Sequence, residues 1–435
     1  MALGGGSFIS QNKVLPGAYI NFVSAASASA TLSDRGVVTM PLELDWGVEG
    51  EIFEVGVDDF QKNSMKYFGY PYTHEKMKGL RDLFRYAKTL YAYKLNSGGE
   101  KAACTFATAK YPGVRGNALK IVIQANVDDS SMFDCYTYMD NVAVDLQTVS
   151  AAANLVDNDY VVFKKDATLL VTASTPLTGG STGTVPGQAY QGYFDKIESY
   201  RFNTMGIVST ENVVKGLAAS FVKRMRDDIG VKFQLVLHDY KSADYMGTIS
   251  VKNEAVGSAS KADLVYWVTG AQAGCAVNKS LQNKAYDGEY TVNVDYNQSD
   301  LVKAIQDGEF TFHNVNGTVR VLNDINTKVT VSDTEGEIFK DNQAVRVIDQ
   351  IGNDIAVLFA TKYLGAVPND ATGRISLWSD IVQHHQDLLT IRAIEDFDDK
   401  DVVVSPGNDK KSVSIQDAVT VVSAMGKLYM TTVVS

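Results

Sequence analysis

The sequence predicts a multidomain protein of the α/β plus β class, with a β-rich first half and a mixed α/β second half. Three observations predict it. The chain has 435 residues, more than one hydrophobic core usually carries. Between Lys101 and Ala173 short strand-like runs alternate with polar turns. After the uncharged stretch "TPLTGGSTGTVPGQ", Thr175–Gln188, strands and helices alternate instead, so a domain boundary belongs in that stretch.

Taken in order, Pro16-Gly17 forms a turn, Ala18–Val23 reads as a strand, and "SAASASATLS" reads as a flexible connector. Residues Gly36–Leu95 mix short strands with one helix. In "THEKMKGLRDLFRYAKTLYAY" the apolar positions Met77, Leu80, Phe84, Ala87 and Tyr91 fall at helical spacing, with Thr73 as the cap. The runs "CTFATA", "ALKIVIQA", "FDCYTYM", "YVVFKK" and "TLLVTA" then suggest a small β-sandwich or barrel.

Beyond the boundary, "TMGIVS" is a strand. Thr210 caps a helix with an apolar face of Val213, Val214, Leu217, Ala218, Phe221, Val222 and Met225, stopped by Gly230. "KFQLVLH" follows as a strand. Strand, helix, strand at that length is a βαβ crossover, which requires parallel strands. "ADLVYWVTGA" continues the alternation. Ser299 caps a short helix ended by Gly308, and "FTFHNVNGTVRVL" is a hairpin turning at Asn316-Gly317. A long helix runs from Asn342 to Leu364, capped by Asp341, with Val345, Ile348, Ile351, Ile355, Leu358 and Phe359 as its buried face. A second helix spans Leu377–Ala393. "DVVVSPGNDKKSVSIQ" reads as two strands around a polar turn. The chain closes on "KLYMTTVVS", Lys427–Ser435, β-branched and aromatic, which reads as a strand.

The net charge of −11 argues against a nucleic-acid partner, which requires a basic face. Three widely spaced cysteines, Cys104, Cys135 and Cys275, form neither a disulfide framework nor a zinc motif. The N-terminus lacks the pattern of a secretory signal, and no apolar run is long enough to cross a membrane. No Walker or dinucleotide-binding glycine pattern occurs, so no cofactor is expected. His384 and His385 point about 100° apart on a helix and cannot share a metal; the expectation is one outward and one partly packed. His238-Asp239 follows a sheet strand, where α/β enzymes place catalysts, but no nucleophile motif accompanies it. The acidic run Glu395–Asp401 lacks the glycine of a calcium loop. The residues thus offer no catalytic site.

They offer two strands, one at each end. An exposed edge strand is a template for pairing and is normally suppressed. Donated into a neighbour's sheet, such strands build polymers, and a heterologous contact of this kind closes into a ring or grows as a helix. The other possibility is that both strands pack on their own subunit.

Four stretches go further: "KVLPGAYINF", "YPGVRGNALKIVI" at Tyr111–Ile123, "GRISLWSDIVQHHQDLLTIRAIEDFDDKDVVVSPGNDKKSV" at Gly373–Val413, and the terminal "KLYMTTVVS". Together they resemble the contractile phage tail sheath family, in particular its branch in Gram-positive myophages, defective prophages and diffocin-like R-type bacteriocins. The resemblance spans essentially the whole chain and is strongest in its C-terminal third. It implies a structural subunit and no enzyme. Hexameric rings would stack helically around a tail tube, between baseplate and tail terminator proteins, and contract to drive the tube through a cell envelope. Neither direct nucleic-acid binding nor membrane insertion is implied. Assembly would occur in the bacterial host cytoplasm, and the product would be a phage or bacteriocin-particle tail. The sheath of another contractile injection system would share the fold; an α/β hydrolase-like enzyme using His238 and Asp239 is the remaining alternative.

The resemblance also implies a mixed α/β inner core with a subtilisin-like sheet, by fold only, and β-rich outer domains. It divides the chain into an N-terminal arm (1–30), an α+β outer domain (31–100), a β-sandwich-like outer domain (101–175), a linker (176–189), an α/β core (190–340), a tube-facing domain (341–426) and a C-terminal arm (427–435). The arms exchanged between subunits would be Ala18, Tyr19, Ile20, Asn21, Phe22 and Val23 at one end, and Leu428, Tyr429, Met430, Thr431, Thr432, Val433 and Val434 at the other. The receiving strands would be Val402, Val403, Val404 and Val413, Ser414, Ile415, with Arg374 and Arg392 meeting the tube. Contraction energy would reside in rigid subunit contacts, where about 1.4 kcal/mol already shifts an equilibrium tenfold.

Overall fold

The computed structural model describes residues 32–434, so the expected arm at Ala18–Val23 lies outside the described residues. The chain forms two compact units. One comprises Thr39–Arg81 and Thr89–Glu198; the other comprises the described residues up to Val38, Asp82–Lys88 and the chain from Ser199 onward.

The first unit opens with strands β1 (Val37–Leu42, its first two residues in the other unit) and β2 (Ile52–Gly56), then helix α1 (Val57–Phe68). Asp58 and Asp59 favour the positive N-terminal end of α1, and Gly69 ends it with φ +76°. The expected long helix from Thr73 is much shorter. One tight turn at Glu75–Met77, capped by the His74 side chain, leads into Lys78–Leu83. The run "TLYAYK" then leaves the helical path as β3 (Thr89–Lys94), paired antiparallel with β2. Its alternating β-formers win over the helical spacing that Tyr91 continued. Met77, Leu80, Phe84 and Ala87 are buried nonetheless.

Strands β4 (Ala107–Ala109), β5 (Leu119–Ala125), β6 (Phe133–Met139), β7 (Val142–Val149), β8 (Val161–Phe163) and β9 (Thr172–Pro176) form the β-rich body of this unit. The four-stranded sheet has the order β7-β6-β5-β9, and β4 pairs with β8. Leu119, Ile121, Ile123, Met139, Val161 and Phe163 fill the core beneath. Strand β7 was not anticipated. Its turn, Asp140-Asn141, has both φ angles positive, +48° and +65°, the geometry of a two-residue hairpin. The Gly/Ser/Thr/Pro stretch is held rather than slack. Leu177 is fully buried, and Thr178 and Ser181 exchange backbone bonds with Ala103 and Glu100. Helix α2 (Ala189–Ile197) completes the unit.

In the second unit β10 (Thr204–Gly206), helix α3 (Asn212–Arg224) and β11 (Gln234–His238) form the expected right-length crossover, with β10 and β11 parallel. Parallel pairing continues through β12 (Thr248–Val251). Helix α4 (Leu264–Gly274) packs across β10 and β11. Gly270 allows that approach to residues 82–88 of the same unit, because a Cβ there would sit 2.2 Å from the Leu83 carbonyl oxygen. Helix α5 (Gln298–Gln306) is capped by Asn297 in a capping box with Asp300, not by Ser299, whose hydroxyl donates to the cap instead. The hairpin is as expected: β13 (Glu309–Val315) and β14 (Thr318–Asn323) turn at Asn316-Gly317. Because β12 and β13 are parallel and β14 is antiparallel, the sheet is mixed.

Two helices follow, α6 (Asn342–Leu358) and α7 (Ala371–Thr390). Asp341 caps α6 as expected; α7 begins six residues earlier than expected, at Ala371, capped by Asp370, whose side chain accepts from the Gly373 amide. The face of α6 differs from the apolar stripe. Ile348, Ile351 and Ile355 are half-buried, whereas Gln343, Arg346, Asp349, Gln350 and Asp354 are buried. These polar groups are paired: Arg226 grips Asp349 through two bonds of 2.6 and 2.7 Å, and Arg346 reaches Gln272 at 2.7 Å and Asp324 at 3.3 Å. On α3, Val213 and Leu217 are exposed while Lys215 is buried, because its ammonium caps the carbonyls of His238 and Asp239.

Candidate subunit-joining site

After α7 come β15 (Ile394–Glu395), β16 (Val402–Pro406), β17 (Val413–Asp417) and β18 (Thr420–Val421). Strands β16 and β17 form the hairpin expected around the polar turn, with Val404 opposite Ile415. It is a sheet of two strands only, so each has one edge with no partner among the described residues. Such a hairpin is marginal alone and needs a face to rest on. Here Val402, Val404 and Val413 pack against Leu358, Leu377 and Ile381 of α6 and α7. The Trp378 indole donates to the Val402 carbonyl at 3.0 Å, and Asn369 donates to the Ser412 carbonyl at 2.8 Å. Val403 and Ile415 remain exposed.

The chain then returns to the core. Strand β18 pairs with β15, and the Val422 amide donates to Ala393. The Gln343 side chain does what a neighbouring strand would do: its amide nitrogen donates to the Val422 carbonyl and its oxygen accepts from the Ala424 amide, both at 3.0 Å. Ser423 donates to Asp341 at 2.9 Å. Beyond this clamp the expected terminal strand has no partner among the described residues. Residues 424–434 form no strand, and Leu428 at 86%, Tyr429 at 87% and Val433 at 89% exposure bury almost nothing. A β-branched, aromatic run cannot form a ladder without a second strand, and the described residues of one chain offer it none.

The start of the described chain is anchored nearby in the same unit. Leu32 packs on the cluster of Val277, Val347, Leu388, Ala393 and Ile394, which also takes Val419 and Val421. Ser33 Oγ donates to Asp354 at 2.6 Å, and Gln350 donates to Ser33 Oγ at 2.7 Å. Burial works against the Asp354 carboxylate, but bonds from His384, Ser33 and Gln350 outweigh it and hold its pKa below the ordinary range.

The two histidines do not follow expectation. Both are buried, at 1% and 0% exposure. His384 Nε2 meets Asp354 at 3.1 Å, and His385 Nε2 meets Asp417 at 3.0 Å. Pointing apart on α7 serves two different elements, α6 and β17. Nothing in the adjacent letters could disclose the carboxylates, which lie 30 and 32 residues away.

Arg374 donates to the backbone and side chain of Asn369, tying down the start of α7. Arg392 stands exposed at φ +60°, just after α7, with no ion pair among the described residues. His238 Nε2 is buried without a hydrogen-bond partner, and burial pushes its pKa down, against Asp239. No group of three or more potential metal ligands occurs among the described residues. In the acidic run, Asp398 and Asp401 form a capping box for one short turn.

Family comparison agrees along the chain. Residues 35–95 match the tail sheath protein Gp18 domain III N-terminal region, 97–182 the phage tail sheath protein beta-sandwich domain, 183–327 its central domain and 334–435 its C-terminal domain. The phage-like element PBSX protein XkdK of Bacillus subtilis (strain 168) is 31% identical, over 98% of this chain and 99% of that protein. The crystal structure of a sheath tail protein from Desulfitobacterium hafniense is 38% identical, with a TM-score of 0.80 over 94% of this chain and 97% of that one. The contracted helical sheath of the anti-feeding prophage shares the fold, at 12% identity and a TM-score of 0.57 over 97% of this chain and 99% of that one. The chain therefore belongs to the phage tail sheath protein family, as a non-enzymatic, structural subunit of a phage or related contractile injection system.

Proposed function

We propose that the chain polymerises by exchanging terminal strands and that the resulting sleeve contracts around a tail tube. The single observation that carries this reading is a mismatch within one chain. Among the described residues a hairpin with two unpartnered edges, β16–β17, coexists with an exposed apolar run, Leu428–Val434, that joins no ladder. Each supplies what the other lacks, but between subunits: an added strand contributes main-chain bonds, and alternate side chains find pockets. Val402, Val403 and Val404 receive on one edge and Val413, Ser414 and Ile415 on the other. The N-terminal arm, Ala18, Tyr19, Ile20, Asn21, Phe22 and Val23, takes the remaining edge.

In this reading hexameric rings stack helically, the mixed sheet forms a subtilisin-like inner core, and the β-sandwich decorates the outside. The tube-facing surface uses the free guanidinium of Arg392; Arg374, engaged with Asn369, contributes less. Baseplate and tail terminator proteins cap the sleeve. Assembly takes place in the bacterial host cytoplasm. The Bacillus relative supports a Gram-positive source, of the defective-prophage and diffocin-like kind. No helix among the described residues is long and apolar enough to cross a membrane.

The test is deletion of Lys427–Ser435. We expect a folded, soluble monomer by light scattering and no sleeves by electron microscopy. Normal sleeves after the deletion would sink strand exchange.

A further inference from the structure

A buried polar chain connects the two parts of the subunit that strand exchange uses. At one end Ser33, just downstream of the N-terminal arm, donates to Asp354 on α6 at 2.6 Å. His384 Nε2 meets the other oxygen of that carboxylate at 3.1 Å. The His384 and His385 Nδ1 atoms lie 3.4 Å apart. His385 Nε2 reaches Asp417 on β17, in the hairpin, at 3.0 Å. Four of these five residues come from elements far apart in sequence, and both rings are buried, so water does not compete for them.

The donor count is consistent along the chain. The Ile381 carbonyl lies 2.9 Å from His385 Nδ1, so that nitrogen must carry a proton. Asp417 asks the same of His385 Nε2, and Asp354 asks it of His384 Nε2. His384 Nδ1 is then left as an acceptor facing the His385 Nδ1–H. Every ring nitrogen thus has a partner in the protein. Few other side chains present donors on opposite edges of a buried ring.

We propose that His384 and His385 are positioning residues that lock the root of the outgoing N-terminal arm to the hairpin that receives a neighbour's arms. The inference rests on the strand-exchange reading. Within one subunit, arm root and socket then move as one body, so the joint on either side of a subunit keeps its geometry while the rigid contacts between subunits are remade. The neighbouring carboxylates are not interchangeable with solvent: replacing Asp354 or Asp417 by an apolar residue leaves a buried ring nitrogen unpaired.

The two ends of the chain are accessible enough to alter without emptying the core, so the test uses them. Amide hydrogen exchange is measured on full-length Ser33→Ala, Asp417→Asn and the double variant, alongside sleeve assembly by electron microscopy. We expect Ser33→Ala to speed exchange in β16–β17, and Asp417→Asn to speed it at residues 34–38, each by about threefold or more. The double variant should depart from the product of the single effects by a similar factor. His385→Gln, which keeps a donor for Asp417 but not one for His384, should protect the hairpin while freeing the arm root. Effects confined to the mutated end, or multiplying independently, would overturn the proposal. So would regular, normally contracting sleeves from the double variant. If the Lys427–Ser435 deletion still assembles, the strand-exchange reading fails first; if the deletion blocks assembly and the variants behave independently, only the histidine link fails.

Discussion

Two hairpins in this protein are built alike and finished differently. In the sandwich, β6 and β7 turn tightly at Asp140-Asn141, and β5 and β9 extend the sheet, over a core of Leu119, Ile121 and Ile123. In the C-terminal region, β16 and β17 pair just as regularly, but the sheet stops at two strands. Its stability comes from one face, through Val402, Val404 and Val413, and from side-chain bonds by Trp378, Asn369 and His385. In the first hairpin β6 is paired on both sides and only β7 is an edge, whereas in the second both strands are edges among the described residues. The second is anchored from beneath and left open at its sides, the state that natural edges normally avoid. The difference teaches that hairpin pairing alone does not show how far a sheet is completed within one chain; the strands added beside the hairpin do.

That comparison can be broken. The largest loss should follow Ile121→Ala, which opens a cavity under the completed sheet and costs about 2–5 kcal/mol. Chemical denaturation should register it, yet sleeves should assemble normally below the midpoint. Failure to assemble while fully folded would mean that the sandwich too belongs to the joint. Next is Val402→Ala, which removes the one fully buried strand residue beneath the open hairpin, at about 2 kcal/mol. Here the order should reverse: a smaller stability loss, but few or no sleeves. Smallest is Asn141→Gly, at a position with φ +65° that glycine adopts without strain. Its midpoint should move by no more than a few tenths of a kcal/mol, with assembly unchanged.

Much of this was legible in the letters. The crossover β10–α3–β11, the Asn316-Gly317 hairpin, the Asp341 cap and the β16–β17 pair all carry local signals, in periodicity or turn chemistry. The failures have a common physical cause. The helix expected through Tyr91 ended early because its last turn was claimed by β2, a tertiary partner. The face of α6 was legible only in part: Val345 and Leu358 are buried as expected, but Arg346, Asp349 and Asp354 are buried with them, held by partners such as Arg226, more than 120 residues from Asp349. His384 and His385 were read from their own spacing, whereas their meaning lies in Asp354 and Asp417. The open hairpin was found from sequence; what holds it was not.

The Gln343 clamp has one mechanical consequence. It fixes the chain at Val422 and Ala424, and in the proposed exchange the donated strand would begin at Leu428. Only Met425, Gly426 and Lys427 lie between, a leash of about 10 Å at roughly 3.3 Å per extended residue. Neighbours joined by that leash can separate by little before it pulls taut. Under that proposal a contracting sleeve would swing its subunits about these joints, and the length of three residues would set the stride.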